Sequence, residues 1–119
     1  MTGRNQRCPG ENESGRAVRV VVDPGICGFV CSIQAMKRER GYAEISIQSD
    51  CNQIAILAGR LPAISIKELF LPLTQSPVFQ IAERSQCHSS CPIPSSVIKT
   101  AEVALGLALP KDMTLRFAG

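Results

Sequence analysis

Thiols are the side chains best placed to do chemistry in this chain, which has six cysteines and one histidine in 119 residues. Cys51 follows Ser49-Asp50, a helix-capping pair, and so belongs to the first turn of a helix, where orphan N–H groups favour negative charge. Cys91 precedes Pro92-Ile93-Pro94 and the longest helical pattern, which places it beside a second helix start. Cys87 and Cys91, in Cys87-His88-Ser89-Ser90-Cys91-Pro92, have the close spacing of structural zinc pairs. The same piece matches the closing C-x3-C-P of a bacterial ferredoxin run without its leading cysteines. Cys27 and Cys31 are four residues apart, about 13 Å along a regular strand, too far to share one ion if both lie in the strand. Cys27 follows the turn residues Asp23-Pro24-Gly25 and is free to point at a site, whereas Cys31 falls in an alternating stretch and reads as core.

The expected ligand set is therefore Cys27, Cys51, Cys87 and Cys91, holding a zinc ion or an iron-sulfur cluster, with Cys31 and His88 as additional ligands in reserve. Two rival readings stay open. Cysteine is among the most buried residue types, so the thiols can be packing groups of a structural or interaction domain. Alternatively, Cys91 or Cys51 serves as the nucleophile of a thiol-based redox sensor or enzyme. No Ser/His/Asp ordering, paired carboxylates or phosphate loop accompanies the thiols, so the chain reads as a binding domain rather than an enzyme, with no catalytic residue assigned.

The elements that must position these residues follow from periodicity. Ala17 to Val22 is β-branched and strand-like, and the turn Asp23-Pro24-Gly25 ends it. Cys27 to Met36 alternates, with Phe29, Cys31, Ile33 and Ala35 on one face. Tyr42 to Gln48 alternates again, after a charged turn at Lys37 to Arg40. The period then becomes helical: Ser49-Asp50 caps a helix bearing Ile54, Leu57, Ala58 and Leu61. Ser65 with Glu68 forms a capping box, and Ser76-Pro77 opens a third helix bearing Val78, Ile81 and Ala82. Ser95 or Ser96 opens a fourth, with an apolar stripe from Val97 to Ala108. Met113 to Phe117 reads as a closing strand. The order βββ-αααα-β predicts an α/β two-layer sandwich (α+β), its sheet mainly antiparallel and its helices packed on one face. Residues 1–16 are expected to form a disordered tail, in which Cys8 is incidental, and 17–119 a single domain.

Composition narrows the setting. Aromatic residues are few and tryptophan is absent, which argues against base-stacking nucleic-acid modules. The formal net charge of +3 is spread over the N-terminal arginines and the Lys37 to Arg40 turn and forms no basic face. No apolar run approaches a membrane span, and the first fifteen residues lack the apolar region of a secretory signal. The expectation is a cytoplasmic protein whose cysteines stay reduced and whose targets are protein partners or further copies of itself, with neither nucleic acid nor membrane among them.

Three blocks carry a resemblance: Asp23-Pro24-Gly25-Ile26-Cys27-Gly28-Phe29, Ser49-Asp50-Cys51, and the stretch from Cys91-Pro92-Ile93-Pro94-Ser95 to Gly106-Leu107-Ala108-Leu109-Pro110-Lys111-Asp112. From Val22 to Phe117 the chain resembles a family of small bacterial and archaeal proteins with no established activity. It is more loosely similar to the four-cysteine Thr-Ser-Cys-Pro-Asp domain, in which an early strand cysteine, a cysteine before a helix and a close pair ending in Ser-Cys-Pro recur. Those places are filled here by Cys27 or Cys31, Cys51, Cys87, and Ser90-Cys91-Pro92. The glycines flanking the second cysteine of that domain are replaced by Asp50 and Asn52, and Ile93 follows the Cys-Pro. The resemblance implies four convergent cysteines.

Overall fold

The computed structural model describes residues 17–26 and 28–119; the expected tail, Cys8 and Cys27 lie outside them. Strands β1 (Ala17–Val22), β2 (Cys31–Arg38) and β3 (Tyr42–Gln48) form an antiparallel meander. Helix α1 (Asn52–Arg60) follows, then β4 (Ile64–Ser65), α2 (Ile66–Leu69), α3 (Pro77–Arg84) and α4 (Ile93–Ala104). The class is α+β, as expected.

Alternation decides which face of the sheet meets the helices. In β2, Cys31, Ile33 and Ala35 are buried, while Ser32, Gln34 and Met36 are half-buried on the other face. Register carries this pattern across the sheet: Val22 lies opposite Cys31, Val20 opposite Ile33, and Ile33 opposite Ile47. On that face Cys31 and Ile33 share a core with Ile54 and Leu57 of α1, Val78 and Ala82 of α3, and Ile93 and Val97 of α4. Full burial of a side chain such as Leu57 contributes about 2 kcal/mol. On the opposite face, the Nε of Arg19 donates to the Ser32 hydroxyl at 3.1 Å.

The hairpin between β2 and β3 turns through Glu39–Gly41, with Arg40 and Gly41 both left-handed (φ 64° and 73°). A Cβ at Gly41 would also lie 3.1 Å from Cδ1 of Ile66. The Ser65–Glu68 capping box is present, with both reciprocal hydrogen bonds made.

Several expectations are corrected. The fourth strand is Ile64–Ser65, between α1 and α2, pairing with Tyr42 and Ala43 of β3. Two residues generate no periodicity, so the sequence conceals it. Met113 to Phe117 is not a strand: its alternation is real, but nothing in the described chain lies alongside it to complete a ladder. Regular pairing in β2 starts at Cys31, not Cys27, and continues through Lys37 and Arg38. Helix α4 starts at Ile93, before the expected serines, because Pro94 falls within the first turn, where a missing N–H costs little. It ends at Ala104, short of Ala108. Gly106 (φ 79°) donates to the Val103 carbonyl and Leu107 to that of Glu102, a Schellman closure.

Candidate functional site

Cys31 opens β2 on the buried face and is fully enclosed. Because Ser32 pairs with Gln48, Cys31 is level with Ser49, two residues before Cys51. Cys51 is itself the N-cap of α1, rather than a residue of its first turn. Ser49 acts one step earlier than a helix cap would: its hydroxyl accepts the Cys51 N–H at 3.1 Å. The Cys51 carbonyl accepts from Ala55 N–H at 2.9 Å, and its thiol donates to Oε1 of Gln53 at 3.4 Å.

Cys87 and Cys91 are set by the connection between α3 and α4. Helix α3 ends in a Schellman closure in which Gln86, at φ 61°, takes the position usually given to glycine. Gln86 N–H donates to Glu83, and Cys87 N–H to Ala82 at 3.0 Å. The chain then makes one tight turn, closed by Cys91 N–H donating to the His88 carbonyl at 3.0 Å. Pro92, the N-cap of α4, follows, and its carbonyl accepts from Ser96 N–H and from the hydroxyls of Ser95 and Ser96. Two backbone closures therefore fix Cys87 and Cys91 on either side of a turn whose His88 side chain is exposed.

Cys51, Cys87 and Cys91 all pack, partly buried, against the core cluster that contains Cys31. Their electrostatics link them further. Burial pushes the Cys31 thiol from its ordinary 9.0 up to about 11, with smaller contributions from the charges of Cys91 and then Cys51. Burial likewise raises Cys87, again followed by Cys91 and Cys51. The charges of Cys91 and Cys51 thus contribute, after burial, at both Cys31 and Cys87.

The geometry is not that of an assembled ion site: among the described residues no group of three or more His, Cys, Asp or Glu side chains is disposed to hold a metal. Of the expected ligands, Cys51, Cys87 and Cys91 each pack against the same core cluster, and Cys27 lies outside the described residues. Cys31, held in reserve and read as core, is a fully buried core residue. Sequence reasoning missed Gln53 and Ser49 as polar partners of Cys51. It also missed Ser85, whose buried hydroxyl lacks a hydrogen-bond partner among the described residues, two positions before Cys87. Ser and Gln in ordinary loop and helix contexts carry no sequence signal for either role.

The fold is that of a small α+β domain in which Cys31 lies in the core cluster and Cys51, Cys87 and Cys91 pack against it. The chain belongs to a family of unknown function (DUF6951), whose model matches residues 18–117. No curated protein and no solved structure matches it. Among the described residues no helix is long and apolar enough to cross a membrane.

Proposed function

We propose that the chain is a metal-binding domain in which thiolates of Cys31, Cys51, Cys87 and Cys91 hold one zinc ion or one iron-sulfur cluster. The observation that supports this reading is that cysteines from three separate segments lie in or against one core cluster, with the charges of Cys91 and Cys51 contributing at Cys31 and Cys87. Four sulfurs are a soft donor set suited to either centre. The charge that is disfavoured at Cys31 and Cys87 is what a bound cation would compensate. Metal entry then requires the thiols to lose their protons and the side chains to move from an arrangement in which no three candidate ligands among the described residues are disposed to hold a metal. A zinc ion would be structural, and a cluster would supply one-electron chemistry. The residues themselves enclose the centre: Cys31 from the core side, Cys51 from a helix cap, Cys87 and Cys91 from a fixed turn. The domain works through protein partners in a reducing compartment.

The fully enclosed Cys31 favours a second reading, in which the thiols are packing groups that never bind metal. Anaerobic purification followed by metal and sulfide analysis with a visible spectrum separates the two. One equivalent of zinc without sulfide, or iron with matching sulfide and visible absorption, supports the proposal. Protein without stoichiometric metal, and unchanged in stability on chelation, supports the packing reading.

A further inference from the structure

Beyond the Schellman closure at Gly106, residues 107–119 form an arm without helix or strand, and every one of them is exposed. Met113, Leu115 and Phe117 are 61%, 78% and 93% exposed, an apolar row at the two-residue spacing of a strand. Thr114 and Arg116 occupy the intervening positions. At the far side of the sheet, β1 is an edge: β2 is its one neighbour among the described strands. Exposed edges and alternating apolar strands are complementary surfaces, the first offering unpaired backbone groups and the second needing them.

We propose that the arm of one chain adds as a parallel strand to β1 of a second copy, and that two copies exchange arms reciprocally. Register and charge select this arrangement. Val20 and Val22 pack towards the core, while Arg19, Val21 and Asp23 are exposed. Parallel pairing of Met113 with Val20 and Leu115 with Val22 extends the apolar face by one strand. The same register sets Asp112 beside Arg19 and Arg116 beside Asp23, opposite charges at both positions. Antiparallel pairing that matches Met113 and Leu115 to the same two valines instead sets Asp112 beside Asp23 and Arg116 beside Arg19. Among the described residues, Asp23 accepts Gly25 N–H through Oδ1 at 3.0 Å. A second copy offers both the edge and the arm, and reciprocal exchange closes as a two-fold dimer.

Sedimentation equilibrium on the full chain tests this. The wild type is expected to be a dimer, and Leu115→Asp to weaken it by at least about tenfold. Arg19→Asp and Asp112→Arg should each weaken association, and the double variant Arg19→Asp/Asp112→Arg should regain it, which guards against a loss caused by misfolding. A monomeric wild type would overturn the proposal. So would a dimer indifferent to both charge reversals, or a monomer whose arm amides are protected from exchange by its own β1.

Discussion

Cys31 is held neutral from two sides: burial in the core makes its ionisation costly, and the charges of Cys91 and then Cys51 add to that cost. Its folded value of about 11 against an ordinary 9.0 means that the folded state holds this proton more tightly than the unfolded chain does. The stabilisation is fully present below pH 9.0 and is lost as pH rises towards about 11. The metal-free protein should therefore lose stability over that window in denaturant titrations. Cys31→Ala should flatten this alkaline limb, at a cost at neutral pH on the order of 1 kcal/mol for the missing sulfur. Metal loading should act in the opposite direction. Because Cys31 and Cys87 are both raised, uptake must release their protons, and affinity should increase with pH, as a pH-stat titration with zinc would report. The sequence made Cys51, Cys87 and Cys91 visible through their places at element junctions. Cys31 was legible as a core residue because alternation reports which face a residue is on, but alternation does not report which other cysteines lie near that face.

At the scale of elements, turns and caps decide where the cysteines stand. Gly41 is held at φ 73° in the β2–β3 hairpin with Ile66 of α2 close above it. Gly41→Ala combines a left-handed penalty with that contact and should cost about 1–2 kcal/mol in urea denaturation. Gly106 faces open space, so Gly106→Ala should cost only the conformational part, about 1 kcal/mol. The first three strands and the starts of α2 and α3 were legible because their signals are local: β-branching, a capping box, a Ser-Pro step. β4 and the start of α4 were not. The first is held by two pairs with β3 and has too few residues for a period. The second begins between two prolines whose position in the first turn, rather than their presence, determines what they do. Likewise the period of Met113 to Phe117 was readable, but the absence of a partner within the described chain was not.

For the whole molecule, Cys31 lies in one core cluster and Cys51, Cys87 and Cys91 pack against it, so under the proposed function a metal held by them would couple the sheet to three helices. Binding to the folded chain alone should raise unfolding free energy by about 4 kcal/mol at a thousandfold excess over Kd. The arm lies outside this group, and its assembly should be insensitive to metal removal. The most direct measurement of the central claim is native mass spectrometry of the reduced apo protein titrated with zinc, on the wild type and on Cys27→Ser and Cys31→Ser. The account predicts one tightly bound ion in the wild type and in Cys27→Ser, and its loss in Cys31→Ser. Retention of the ion by Cys31→Ser, or no tightly bound ion in the wild type under conditions that also fail to support a cluster, would contradict it.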